Sequence, residues 1–313
     1  MYGSVIPMLE QALRKLPVPV VQPLPLPGPG PLKARGRARP DIREIEPGNA
    51  KPFVKWVGGK RQLMHELEPR IPTRFNTYHE PFVGGGALFF HLLPERAILA
   101  DTNERLVRTY MGIRDDVENL IDLLSSYPHD KDFFMRMRGV DIDSKTNTEV
   151  AAWFIYLNRT GFNGLYRVNR NNIYNVPFGD YDNPTICDAD NLRKCAIALR
   201  HTEILHSSFE SVLDRALPGD FVYFDPPYVP LSASSNFTSY TKNGFGMREQ
   251  EKLRDVAREL KARGVRVLLS NSSAPEVYSL YGAGTFELAA VGATRAVNCK
   301  AAGRGRVQEL IIR

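Results

Sequence analysis

Asp225-Pro226-Pro227-Tyr228 follows the apolar run Phe221-Val222-Tyr223-Phe224, and this combination suits one kind of chemistry. The exocyclic nitrogen of an aromatic amine is a poor nucleophile, because its lone pair is delocalised into the ring. Attack on a methyl carbon requires that nitrogen to become tetrahedral and partly positive. The Asp225 carboxylate and the Pro226 carbonyl, pointed at the amine N–H groups, favour that state, as an oxyanion hole does with the charges reversed. The prolines stiffen the backbone and remove competing donors. Tyr228 offers a flat face for stacking a base taken out of a duplex. No metal is needed, and no residue has to deprotonate the amine beforehand. The bland reading is a proline-rich turn after a buried strand. The apolar strand before the loop and the aromatic after it favour chemistry. The loop by itself serves adenine N6 and cytosine N4 equally.

A second cluster is Glu80-Pro81-Phe82-Val83-Gly84-Gly85-Gly86, and Asp101 stands seventeen residues after Gly84. Glycines between a strand and a helix let the backbone turn sharply and approach a ligand closely. An acid near this spacing, at the end of the next strand, holds ribose hydroxyls in nucleotide-binding sheets. Together they predict a ligand containing adenosine. The dinucleotide fingerprint GxGxxG is absent. Gly58-Gly59-Lys60 is not a phosphate loop, because Arg61 stands where the magnesium-binding hydroxyl would be.

These motifs need elements that bring them to one edge. Residues 76–80, 97–100, 221–224 and 265–269 read as strands, with further strands near Ile204 and at 309–312. Residues 61–70, 87–93, 103–124, 148–158 and 248–262 read as helices, and 160–185 as loop or hairpin. The alternation predicts an α/β fold with a doubly wound, mainly parallel sheet covered on both faces. Two α/β blocks, 51–105 and 204–313, flank a helix-rich insert, 106–203. Residues 1–50 stand apart. Pro17, Pro19, Pro23, Pro25, Pro27, Pro29 and Pro31 fall within fifteen positions and leave no way to build a packed core. The basic run Lys33 to Arg39 reads as a solvated linker more readily than as a DNA-tracking arm.

The 313-residue chain has a net charge of +6, of which residues 1–50 supply +3, seven Lys or Arg against four Asp or Glu. Charge therefore favours a polyanionic partner only mildly. Cys187, Cys195 and Cys299 lack CxxC spacing, which argues against a disulfide framework or structural zinc and for a reducing cytosol. No apolar run reaches about 18 residues, so no membrane span is expected. The N-terminus lacks the basic-then-apolar pattern of a secretory signal.

The motifs KWVGGK (55–60), EPFVGGGALFF (80–90), LADTN (99–103), NRTGFNGLYRVN (158–169), YNVPFGDY (174–181), FDPPY (224–228), FTSYTKNGFG (237–246) and LLSNSS (268–273) resemble, in order, those of the Dam-type, D12 class of DNA adenine N6-methyltransferases. The resemblance spans residues 51–313. It implies a Rossmann-like methyltransferase sheet in the class-alpha order, with S-adenosyl-L-methionine as methyl donor and no metal. Double-stranded DNA is the implied partner, with no membrane attachment. It implies that Trp56 and Lys60 touch the cofactor, that Asp101 holds the ribose hydroxyls, and that Phe82 and Gly84 shape the pocket. Asp225 would lie between cofactor and target amine. Phe209 is either a ring stacked on the cofactor adenine or a core aromatic. The insert becomes the target-recognition region. There Arg167, in GLYRVN, would read guanine through O6 and N7, worth about 1–3 kcal/mol of discrimination. GATC is the suggested site. Arg170, Asn171 and Asn172 extend the hairpin, and Arg159 and Lys242 are candidate phosphate contacts.

The proline-rich extension departs from the family's compact pattern. A monomer or weak dimer is expected, in the cytoplasm, at a bacterial nucleoid or in a phage-infected host. The competing readings are an N4-cytosine DNA methyltransferase using the same loop and a non-catalytic DNA-binding regulator of the same fold. The latter usually loses the acid or an aromatic of the loop, whereas all four positions are present here.

Overall fold

The computed structural model describes residues 46–230, 245–294 and 306–313. The proline-rich stretch, the Lys33 to Arg39 run, Lys242, most of FTSYTKNGFG and Cys299 lie outside the described residues.

Strand β4 (Phe221–Phe224) is buried throughout. Phe221 and Tyr223 belong to one apolar cluster, and Val222 and Phe224 to another. Successive side chains of a strand point to opposite faces, so two clusters mean two covered faces. The same division recurs in β5 (Arg266–Ser272), where Leu268 packs opposite Val267 and Leu269, and in β7 (Arg306–Ile312), where Ile311 packs opposite Leu310 and Ile312.

With β1 (Tyr78–Glu80), β2 (Ala97–Asp101), β3 (Thr202–His206) and β6 (Leu288–Thr294), these strands form a seven-stranded sheet of order β3-β2-β1-β4-β5-β7-β6. Neighbours from β3 to β5 pair in parallel, whereas β7 runs antiparallel to both β5 and β6. The sheet is the doubly wound, mainly parallel one expected. From β1 the chain builds outward through β2 to β3, and from β4 it builds the other way to β5. The reversal falls between β1 and β4, and the crevice at the carboxyl ends of such a pair is where open α/β sheets bind ligands. The glycine cluster leaves β1 at that crevice, and Asp225 leaves β4 at the same place.

The helices differ from expectation in detail. Residues 61–70 are a short α1 (Met64–Leu67) between two 3-10 turns, Lys60–Leu63 and Glu68–Arg70. Helix α2 (Ala87–Leu92) follows the glycines. The stretch 103–124 is two helices, α3 (Glu104–Asp115) and α4 (Val117–Ser126). Asp116 breaks it at φ −151°. Its carboxylate accepts from Thr148 Oγ1 at 2.9 Å and Asn119 Nδ2 at 2.8 Å, and such local bonds compete with helical ones. Helix α5 (Lys131–Arg138) was not anticipated, nor were α7 (Ala189–Leu199), α9 (Pro275–Tyr281) and β6. Helix α6 (Asn147–Thr160) starts at a Thr146/Glu149 capping box and is buried continuously from Val150 to Asn158, which makes it a core helix. It shares one apolar cluster with sheet residues Tyr78, Leu99 and Phe221, and it packs chiefly on α3, which lies against β2 and β3. Helix α8 (Met247–Ala262) contributes Leu253, Val256 and Leu260 to the other face. No described helix is long and apolar enough to cross a membrane.

Candidate active site

The turn after β1 carries Gly84 at φ +48° and Gly86 at φ +66°, a region open to glycine at little steric cost. The Gly84 N–H donates to Asp101 Oδ2 at 3.1 Å, and its carbonyl accepts from Tyr110 Oη at 3.0 Å. A Cβ at Gly84 would come within 2.6 Å of the Trp56 indole. Trp56 thus lies against the glycine backbone. Its ring also lies nearly parallel to those of Phe154 and Tyr166, each 6.2 Å away. Asp101, at the end of β2, also accepts from the Asn103 N–H at 2.9 Å. Burial raises its carboxyl above the ordinary value, while these amides oppose the rise. Each oxygen keeps lone-pair capacity for a further donor.

Phe82 stacks on Phe209 at 5.4 Å and meets Phe224 and Phe245 edge-on. Phe209 is only 5% exposed and belongs to the apolar core of that face. It is a core aromatic that also backs Phe82.

Lys60 joins the two halves of the crevice. Its Nζ lies 2.7 Å from Asp225 Oδ1, donates to the Gly58 carbonyl at 2.6 Å, and stands 4.8 Å from the centre of the Tyr228 ring. Asp225 is pushed up to about 6 by burial, with Lys60 opposing the rise and Glu309 adding to it. Tyr228 donates its hydroxyl to Glu309 Oε2 at 2.7 Å. Behind the pair lies Glu80, whose Oε2 accepts from Tyr78 Oη at 2.9 Å. Burial pushes Glu80 up to about 8, with the nearby Asp225 charge adding to the effect. The crevice therefore holds one lysine among several acids, and at neutral pH Glu80 is largely protonated.

The expected residues separate into two groups. Trp56, Gly84 and Asp101 meet around the glycine turn, and Lys60, Asp225 and Tyr228 meet at the end of β4. Phe82 bridges them through Phe224. Arg167 lies elsewhere, exposed, in the loop after α6. Its Nε donates to Asn175 Oδ1 at 2.7 Å and its Nη2 to the Asn175 carbonyl at 3.2 Å. These bonds use the Nε–H and one Nη2 N–H, which leaves the Nη1 N–H groups and the second Nη2 N–H as further donors. Arg159, a candidate phosphate contact, donates Nη2 to the Phe53 carbonyl at 2.8 Å. Burial holds it below the ordinary arginine value, and its bond ties α6 to the segment just before KWVGGK.

Several residues at the site carried no assignment from the sequence. Asn158 accepts from the Lys55 N–H at 2.8 Å and donates to the Lys55 carbonyl at 2.9 Å and the Gly164 carbonyl at 2.6 Å, tying KWVGGK to the insert. Asn158 falls in NRTGFNGLYRVN and Glu80 in EPFVGGGALFF, which is the signal the sequence offers for them. Glu309 had no such signal. A cavity of about 680 Å³ lined by Thr77, Arg96, His201 and Glu203 lies at the amino ends of the strands, away from these groups. Among the described residues, no cluster of His, Cys, Asp and Glu is arranged to hold a metal.

Comparisons with known proteins identify the family. A family model described as D12 class N6 adenine-specific DNA methyltransferase matches residues 56–297. The Type II methyltransferase M1.LlaDCHI of Lactococcus lactis subsp. cremoris is 42% identical, over 84% of this chain and 95% of its own. The Type II methyltransferase M.MjaIII of Methanocaldococcus jannaschii is 39% identical, over 84% of this chain and 98% of its own. A DNA adenine methylase of Haemophilus influenzae is 33% identical, over 87% of this chain and 97% of its own.

Proposed function

The chain belongs to the D12 class of N6 adenine-specific DNA methyltransferases, and from that premise we propose that it moves a methyl group from S-adenosyl-L-methionine to N6 of adenine in double-stranded DNA, with Asp225-Pro226-Pro227-Tyr228 at the target amine. The observation that carries this reading is the meeting of Lys60 and Asp225 at 2.7 Å in the crevice between β1 and β4, beside the turn that Asp101 closes.

The residues present fit such a donor. Asp101 offers a carboxylate for ribose hydroxyls, Gly84 leaves no room for a Cβ beside Trp56, and Phe82, backed by the buried Phe209, offers an aromatic face for an adenine ring. When bound, the donor supplies a methyl group on positively charged sulfur. Asp225 and the Pro226 carbonyl accept the amine N–H bonds and stabilise positive charge as the lone pair leaves ring conjugation. Lys60 holds Asp225 ionised near neutrality. The Lys60 ammonium lies over the Tyr228 ring, and the ring's remaining surface stacks the flipped base.

Residues 51–105 and 204–313 act as the catalytic domain, and 106–203 as the target-recognition region. Arg167 reads guanine with its Nη1/Nη2 edge, while Asn175 holds the other edge. GATC is the expected site. The test is incubation with labelled donor and unmethylated DNA, followed by nucleoside analysis and base-modification sequencing. N6-methyladenine at GATC is expected. N4-methylcytosine would assign the loop to the other planar amine, and no methylated nucleoside on any sequence would refute the reaction.

A further inference from the structure

We propose that Gln250 and Asn271 are positioning residues for the transfer step, forming a buried amide relay that fixes the loop on both sides of Tyr228. The inference rests on the reaction proposed above. Gln250, on α8, is 1% exposed, and Asn271, on β5, is fully buried. Gln250 Nε2 donates to the Pro227 carbonyl at 2.8 Å, and Asn271 Nδ2 donates to Gln250 Oε1 at 2.9 Å. Asn271 Oδ1 in turn accepts from the Val229 N–H at 3.3 Å and the Ser272 N–H at 2.8 Å.

The direction of the relay is fixed by its ends. Two N–H groups face Asn271 Oδ1, so its NH2 must face Gln250 Oε1, and the Gln250 NH2 must then face the Pro227 carbonyl. Turning either amide over would set donor against donor and acceptor against acceptor. A buried amide costs free energy unless it is bonded, and here the bonds go to the loop. Pro226 and Pro227 have no N–H, so the loop cannot latch itself through main-chain donors at those positions. Occupying the Pro227 carbonyl also removes a competing acceptor one residue from the Pro226 carbonyl. The relay thereby keeps Asp225 and the Pro226 carbonyl as the acceptor pair for the amine.

Gln250→Met keeps the length of the side chain and removes both of its bonds. Asn271→Ser opens the relay at the other end. Each full-length variant is compared with the unmodified chain for single-turnover methylation at saturating donor and DNA, donor affinity, and hydrogen exchange at the Tyr228 and Val229 amides. The rate should fall on the order of 10- to 100-fold, as small misplacements at a reacting centre do. Donor Kd should stay within about twofold, since the lost interaction belongs to the transition state. Exchange should rise, and the double variant should lose little more than the worse single one, because both cut the same chain of bonds. Folded variants that react within about twofold of the unmodified chain, whatever their melting temperature, would show that the amides only fill the core. If Gln250→Met fails to fold, Asn271→Ser makes the same comparison. An unmodified chain that methylates no adenine refutes the reaction itself. Exchange then still decides the clamp, and unchanged exchange overturns it.

Discussion

Replacing Lys60 with Met should move the acid limb of activity upward. Lys60 is nearly buried and lies 2.7 Å from Asp225. Asp225 stands near 6 because burial raises it and Lys60 is the main opposing influence. An opposite charge at this range lowers a carboxyl by about 1–3 units, so Asp225 without Lys60 is expected at roughly 7–9. The transfer step needs the ionised carboxylate, so activity is lost as pH falls through the folded value. At pH 7 a group of pKa about 6 is roughly 90% ionised, one of pKa about 7 half ionised, and one of pKa about 9 roughly 1% ionised. The rate at neutrality should therefore fall by about 2- to 100-fold and recover toward about pH 9–10, with the limb displaced by about 1–3 units. The assay is single-turnover methylation at saturating donor and DNA across that range. A limb that stays near 6 with only the plateau lowered would refute the reasoning, since Lys60 would then act without setting the charge of Asp225.

Glu309→Gln keeps an acceptor for the Tyr228 hydroxyl but removes a charge that raises Asp225. Its acid limb should fall below 6, and an unmoved or raised limb in the same assay would exclude that coupling. Gly84→Ala would place a Cβ 2.6 Å from the Trp56 indole at φ +48°. The left-handed conformation alone costs a non-glycine residue about 1–2 kcal/mol of fold stability, and displacement of Trp56 by the Cβ should separately weaken donor affinity by calorimetry; an unchanged Kd would remove Trp56 and Gly84 from the pocket wall. Arg167→Ala should reduce discrimination between cognate and substituted sites by about 1–3 kcal/mol while leaving donor Kd unchanged; an unaltered site preference would remove Arg167 from the reading role. Glu80 is raised from 4.5 to about 8 in the folded state, so its ionisation destabilises the fold progressively as pH rises through that window, by a few kcal/mol at its upper end. Glu80→Gln should therefore raise denaturant stability above pH 8 and leave it little changed near 4.5, and equal gains at both would contradict the assignment.

How much could be read in advance depended on what dictated each residue. Strand β4 was legible to the residue because its apolar run is bounded by Asp220 and Asp225-Pro226. The glycine turn and Asp101 were legible because a close backbone approach restricts residue type and Asp101 ends a short apolar strand, where its carboxylate receives the Gly84 N–H. The break at Asp116 was not, since helical periodicity continues through it and the competing partner, Thr148, is thirty-two residues away. Strand β6 reads Leu-Ala-Ala-Val-Gly-Ala-Thr, too rich in Ala and Gly to signal a strand, and it owes its place to pairing with β7. The bond from Arg159 to the Phe53 carbonyl was not legible either, because its partners lie 106 residues apart.

The same distinction explains why the catalytic loop was visible while its supports were not. The loop's composition follows from the proposed reaction: two acceptors, two prolines and a flat ring. Those prolines also remove the donors with which a turn normally secures itself. Support must then come from side chains, and their positions follow from the neighbours of β4 in the sheet. Asn271 comes from β5, adjacent to β4, Glu309 from β7, adjacent to β5, and Gln250 from the helix before β5. They stand 42, 81 and 23 positions from their loop partners. No local pattern links such residues to the loop. What places them is the antiparallel β7, which pairs with β5 and carries Glu309 opposite Ser272, beside the carboxyl end of β5. The reversed strand thus brings to the crevice an acid that both anchors Tyr228 and raises Asp225, so sheet topology helps set the charge state of the group proposed to meet the amine.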